Sequence, residues 1–182
     1  PDYDADALEI LKSKKNRIII KQKIAINNPK MFKSLLNGVL EQDTDKSVEL
    51  SASFKTATTA APTTAQLSDL EFAIIAVKHL KSNGITIVRN KQLIGMGCGQ
   101  TSRVDALESA IKKSKGFGFD LTGSVMASEA FFPFPDCVNI AHSVGVKAIA
   151  QPGGSIKDQD SIDAANANGQ AMVFTGVRHF KH

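Results

Sequence analysis

Between residues 67 and 174, apolar residues at helical spacing alternate with short runs rich in β-branched residues, and this alternation is what most limits the fold. Helices and strands in alternation bury their apolar faces together in a layered α/β domain. Leu67, Leu70, Ile74 and Val77 make one stripe of a helix over residues 67–81, with Ser68 and Glu71 at capping-box spacing. Residues 85–88 and 92–96 read as two strands of a hairpin turning at Arg89, Asn90 and Lys91. A second helix follows, capped by Thr101 or Ser102, with Val104, Leu107 and Ile111 facing inward. Strands over 123–126, 147–150 and 171–174 then alternate with helices over 136–143 and 158–168.

The first 64 residues are patterned less regularly. Leu8 and Leu11 predict a helix over residues 5–14 that ends in lysines, and residues 17–21 read as a strand. Residues 35–40 read as extended, because Asn37 and Gly38 disfavour a helix. Residues 47–64, rich in Ser, Thr and Ala and carrying Pro62, have the composition of a connecting loop. The expected division is therefore an N-terminal extension and linker over 1–64 and a main domain over 65–182.

With 182 residues, 42% hydrophobic, the chain is long enough for a domain with its own core. No apolar run approaches the roughly 18 residues a membrane helix needs, and the first residues are acidic, which favours a cytoplasmic protein without membrane contact. Two cysteines, Cys98 and Cys137, suit free thiols in a reducing compartment. The net charge of +4 is spread along the chain, and one tyrosine with no tryptophan leaves few stacking platforms, so nucleic acid is an unfavoured partner. A first residue that is proline suggests a piece of a longer protein.

Candidate chemistry gathers where helices begin after strands, since helix N-termini aim free amides at ligands there. Residues 128–134 read Ser-Glu-Ala-Phe-Phe-Pro-Phe, and aromatics stiffened by Pro133 are costly to expose unless a flat partner covers them. Asn83 offers an amide that both donates and accepts, although Asn before Gly is also an ordinary turn. Arg103 places a cation at a helix start, which is unfavourable unless an anion is present. Asp136 could serve only as an N-cap, Gly153, Gly154 and Ser155 form a generic anion or amide site, and Arg178 could be a solvated surface cation.

Residues 128–134, together with Gln100-Thr-Ser-Arg-Val104, Gln151-Pro-Gly-Gly-Ser155 and the terminal Arg178-His-Phe-Lys-His, resemble the C-terminal half of the aminoimidazole carboxamide ribonucleotide (AICAR) transformylase domain. That domain belongs to the bifunctional purine-biosynthesis enzyme that also carries an IMP cyclohydrolase. The resemblance runs from about Asn16 onward. It implies an α/β, three-layer cytidine deaminase-like domain with a mixed sheet, preceded by a short N-terminal extension. It implies transfer of a formyl group from 10-formyltetrahydrofolate to AICAR. Asn83, Arg103, Phe131 and Arg178 would contact AICAR, with Asn83 also catalytic. Val104, Asp136, Ser155 and Ile156 would contact the folate.

The resemblance further implies a homodimer and an upstream half of the domain that carries a catalytic Lys-His pair. Lys78-His79 is not that pair, so the chain alone is expected to be inactive. Pro135, Cys137 and Glu129 depart from the residues common in the family, which puts fine folate contacts and a monovalent-cation site near Ser82 and Glu129 in doubt. Zinc is not expected, because the deaminase metal positions read Cys98-Gly99-Gln100 and Asp136-Cys137. His79, His142, His179 and His182 lack metal-ligand spacing, and Gly95, Gly97 and Gly99 match neither a dinucleotide fingerprint nor a P-loop. The alternative reading is a non-catalytic nucleotide- or folate-binding module of the same fold. A nucleoside deaminase, the third, would need a metal.

Overall fold

The computed structural model describes residues 2–24 and 28–181, in two compact units, 1–46 and 47–182. Ala25 to Asn27, within the stretch read as partly extended, and His182 lie outside the described residues.

In the first unit, α1 (Ala5–Lys12) starts after Asp4 and buries none of its residues. It ends at Lys12, the first lysine of the expected cluster and two residues before the expected end. Arg17 instead turns back, its Nη1 donating to the carbonyls of Leu11 at 2.9 Å and Ile10 at 3.2 Å, so a guanidinium occupies the negative end of the helix. The strand expected at 17–21 does not form. Among the described residues it has no ladder partner, and Ile18 and Ile20 stay exposed. β-branched composition cannot replace a neighbouring strand. The extended reading of residues 35–40 is met by a hairpin, β1 (Lys30–Leu35) and β2 (Gly38–Asp43), which turns at Leu36 and Asn37.

The second unit holds a six-stranded mixed sheet. Its strands are β3 (Lys55–Thr56), β4 (Ile85–Arg89), β5 (Gln92–Gly97), β6 (Val125–Ser128), β7 (Ala148–Gln151) and β8 (Ala171–Phe174), ordered β3-β8-β7-β6-β4-β5. β6, β7 and β8 run parallel; β4, β5 and β3 pair antiparallel with their neighbours. One helix, α2 (Thr64–Val77), covers one face, and α3 (Arg103–Gly116), α4 (Asp136–Ser143) and α5 (Asp158–Ala167) belong to the other. This is the expected three-layer order, with the predicted helices and strands placed to within a few residues.

Strand periodicity sorts the core. Ile85, Ile87, Met126, Ile149 and Met172 face α3, α4 and α5, whereas Val88, Val125, Ala127, Ala148, Ala150 and Val173 face α2. Burial of each such Ile or Met contributes about 1.5–3 kcal/mol. Thr86 is the polar exception on the α2 side, and its hydroxyl donates to the Ala73 carbonyl at 3.0 Å.

Three local expectations need correction. The capping box of α2 is Thr63 with Gln66, not Ser68 with Glu71: Thr63 Oγ1 accepts from Gln66 N at 3.2 Å and Gln66 Oε1 accepts from Thr63 N at 2.9 Å. Both pairs have the right spacing, and the one beside Pro62 wins because proline already ends any helix there. Glu71 is left to accept from Ser51 N at 2.6 Å. Asp136 is the first residue of α4, after Pro135, and makes no side-chain cap. The division at residue 64 falls instead at 46, because the stretch read as a linker supplies β3, whose register pairs Lys55 with Phe174 and Thr56 with Val173.

The hairpin of β4 and β5 is as expected. Asn90 and Lys91 adopt φ of 53° and 57°, and Asp69 on α2 clamps the turn by accepting from both amides, at 2.9 and 2.7 Å. Among the described residues no helix is long and apolar enough to cross a membrane.

Candidate functional site

Because β4 and β5 are antiparallel while β6 to β8 are parallel, one edge of the sheet collects five chain segments. Ile85 at the start of β4 lies opposite Ser128 at the end of β6 and Gly97 at the end of β5, and Gln151 pairs with Phe174 at the ends of β7 and β8. The segment entering β4 and the loops leaving β5, β6, β7 and β8 therefore carry Asn83, Arg103, Phe131, Asp136, Ser155, Ile156 and Arg178 to the same edge.

Asn83 is half-buried and stitched to the exit of β5. Its N–H and side-chain Nδ2 both donate to Gln100 O, at 3.2 and 3.1 Å, which leaves its amide oxygen as the spare acceptor. Arg103 opens α3 after the Ser102 cap, whose hydroxyl accepts from Asp105 N at 3.1 Å. The anion that the arginine seemed to lack is supplied from within the chain: Arg103 Nη2 lies 3.3 Å from Glu129 Oε1, with the carboxylate fully buried. Its position at a helix start is thus no evidence for a ligand by itself, although Arg103 Nε remains buried without a partner. Val104 is half-buried and packs toward the α3 side of the core.

Glu129 is the residue that reading by motif undervalued. Oε2 accepts from Gly84 N at 3.1 Å, Oε1 faces Arg103, and the backbone carbonyl accepts from His179 N at 2.9 Å. Both carboxylate oxygens are thus engaged by groups of this chain. Ser82 is likewise occupied, since its N–H donates to Lys181 O at 2.9 Å and its hydroxyl accepts from Lys181 N at 3.1 Å. The only signal in the sequence was a lone acid inside the apolar run from Met126 to Phe132.

The aromatic segment splits. Phe132 is fully buried in the core, while Phe131 is half-exposed at the edge. Gln151, itself fully buried, holds Phe132 by accepting from its N–H through Oε1 at 3.0 Å. Phe134 is exposed, and Lys157 Nζ stands 4.7 Å above its ring. Gly153 has φ of 72° and its Cα lies so close to Phe174 that a Cβ would meet the ring at 2.9 Å. The anion site expected around it is partly taken, because Gly154 N donates to Asp158 Oδ2 at 2.6 Å and Ser155 Oγ accepts from Lys157 N at 3.1 Å. Ile156 is wholly exposed. Asp136 is exposed in the first turn of α4. Arg178 is exposed beside Phe180, 5.3 Å from guanidinium carbon to ring centre. The imidazole of the next residue, His179, is buried with Nε2 2.7 Å from Glu49 Oε2.

Cys137 is buried in the first turn of α4, and desolvation pushes its thiol up to about 12 despite the opposing charge of Arg103; Cys98 is exposed. Lys78, at the C-terminal end of α2, is buried and donates to Ser47 O, whereas the side chain of His79 is exposed. A groove of about 350 Å³ along β5 and α3, lined by Leu93, Met96, Phe117 and Phe119, contains none of the candidate residues.

Layering and strand order define a three-layer α/β domain with a mixed sheet, whose polar, aromatic edge gathers the candidate residues. The sequence profile of the AICARFT/IMPCHase bienzyme family matches residues 1–113. The chain belongs to that family. Over all 182 residues it is 58% identical to the bifunctional purine biosynthesis protein PurH of Bacteroides thetaiotaomicron, of which it covers 36%. It is 49% identical to the protein of that name from Persephonella marina, again over the whole chain and 36% of the relative. The chain thus spans about a third of the length of these relatives. Among solved structures it is similar to a dCMP deaminase from cyanophage S-TIM5, with a TM-score of 0.43 and 18% identity over 59% of this chain and 94% of that one, a likeness too slight to carry any argument.

Proposed function

We propose that this chain forms the C-terminal half of an AICAR transformylase domain and supplies the binding edge for formyl transfer from 10-formyltetrahydrofolate to AICAR. The observation that supports this best is the meeting at one sheet edge of residues from five loops, in a chain whose full length aligns with bifunctional purine-biosynthesis proteins.

In the reaction, the 5-amino nitrogen of AICAR bonds to the formyl carbon, the bond from that carbon to folate N10 breaks, the amine loses a proton and N10 gains one. The amine is a weak nucleophile because its lone pair is delocalised into the carboxamide-bearing ring, so orientation and a general base dominate the rate. On this chain the residues orient. The spare oxygen of Asn83 accepts from the amine or carboxamide of AICAR, held in aim by the bonds to Gln100. Phe131 stacks on the imidazole, Arg103 donates from its unpaired Nε, and Arg178 holds the phosphate by charge-assisted bonds. Val104, Ile156 and Ser155 border the folate, and Asp136 accepts from the pterin amide edge. The general base belongs to the upstream half of the domain, and a second copy of the chain completes the site as a homodimer. Work in purine synthesis places the protein in the cytoplasm.

Calorimetric titration of AICAR tests this. Saturable binding is expected, weakened about 10- to 100-fold in Arg178→Ala, the loss of a charged hydrogen-bonded contact. Formyl transfer is expected to be absent with the 182-residue chain alone. Turnover by that chain, or affinity unchanged in Arg178→Ala, would overturn these assignments.

A further inference from the structure

Glu129 connects three loops that are remote in sequence. Its carboxylate accepts from Gly84 N and from Arg103 Nη2, 45 and 26 residues away, and its carbonyl accepts from His179 N. Each partner is an AICAR contact or its immediate neighbour: Gly84 follows Asn83, Arg103 is one, and His179 follows Arg178. Glu129 has no exposed surface, so leaving its carboxylate unpaired would be strongly unfavourable. The charge is tolerated only while the β4 entrance and the start of α3 are both in place around it. The same residue then ties the C-terminal segment to them through the main chain.

We propose that Glu129 is a positioning residue that registers the base-binding and phosphate-binding halves of the AICAR site against each other; this rests on the function proposed above. It touches no substrate atom and acts through Asn83, Arg103 and Arg178. Charge is essential to the role, because a neutral amide of the same shape keeps one acceptor and places an NH2 against Gly84 N or against the Arg103 guanidinium, each already a donor.

The test compares Glu129→Gln with Thr86→Val, which removes a buried hydrogen bond on the opposite face of the same strand region. Affinities are measured for AICAR and for its riboside, which lacks the phosphate. Glu129→Gln is expected to weaken both ligands about tenfold or more, Arg178→Ala only the nucleotide, and Thr86→Val neither, even where it lowers the melting temperature as far as Glu129→Gln does. Amide exchange at Gly84, whose N–H is held by the carboxylate, is expected to accelerate in Glu129→Gln alone. Should that variant not fold, Glu129→Asp, which keeps the charge but shortens the reach, is expected to show the same pattern at smaller amplitude. Binding of both ligands within about twofold of wild type, or unchanged exchange at the Gly84 amide, overturns the proposal. If the wild-type chain binds neither ligand, the functional reading fails, and amide exchange still decides whether Glu129 holds the loops together.

Discussion

The two cysteines show how far environment, rather than residue type, sets chemistry. Exposed Cys98 is expected to react with a thiol reagent at neutral pH, while Cys137, pushed up to about 12 by burial, stays unreacted until the chain unfolds; counting thiols modified before and after denaturation checks this. Stability follows with a definite sign. The unfolded thiol ionises near its ordinary value of 9 and the folded one only near 12, so the contribution of Cys137 is whole below pH 9 and is lost as pH rises from 9 toward 12. Urea unfolding across that window should fall more steeply for wild type than for Cys137→Ala. Arg103 and Glu129 make the complementary point. The sequence shows a cation at a helix start and an acid in an apolar run, and nothing local says that they neutralise each other.

At the scale of elements, the choice between two capping boxes is a sharp test. Thr63→Ala is expected to cost about 1 kcal/mol, whereas Ser68→Ala, in the interior of α2, should change stability by less than about 0.5 kcal/mol. Chemical denaturation of the two variants side by side measures the difference. Helix α3 lies so close on β5 that a Cβ at Gly97 would stand 1.9 Å from the Ala106 carbonyl oxygen, a backbone atom that cannot swing aside. Gly97→Ala is therefore expected to destabilise by about 3 kcal/mol, read as a lowered urea midpoint. These helices and strands were legible because cap residues, turn residues and apolar period act within a few positions. Strand 17–21 was misread for the opposite reason: its β-branched run is local, but a ladder is not.

For the whole molecule, the useful boundary is the one set by strand pairing. A chain beginning at Ser47 keeps β3, the bond from Ala57 N to Met172 O at 2.8 Å and that from Met172 N to Thr58 Oγ1 at 2.8 Å. It is expected to retain a single cooperative thermal transition. A chain beginning at residue 65 loses these bonds and the Thr63 cap, and should be less stable by about 3 kcal/mol or more, at roughly 1 kcal/mol per bond or cap removed. Calorimetry of the two truncations checks this. By contrast, residues 1–46, whose helix buries nothing, are expected to show no cooperative unfolding in isolation.

By itself, then, the sequence determined the α/β class, the order of helices and strands after residue 64, and the hairpin at Asn90 and Lys91. Each depends on spacing or on residues a few positions apart. Only the tertiary structure decided that residues 55–56 join the sheet, that Thr63 caps α2, that Gly154 is already bonded, and that Glu129 gathers Gly84, Arg103 and His179. Those outcomes depend on which segments the sheet order brings together and on which buried charges find partners there, and such free energies arise between residues too far apart in sequence for local pattern to carry them.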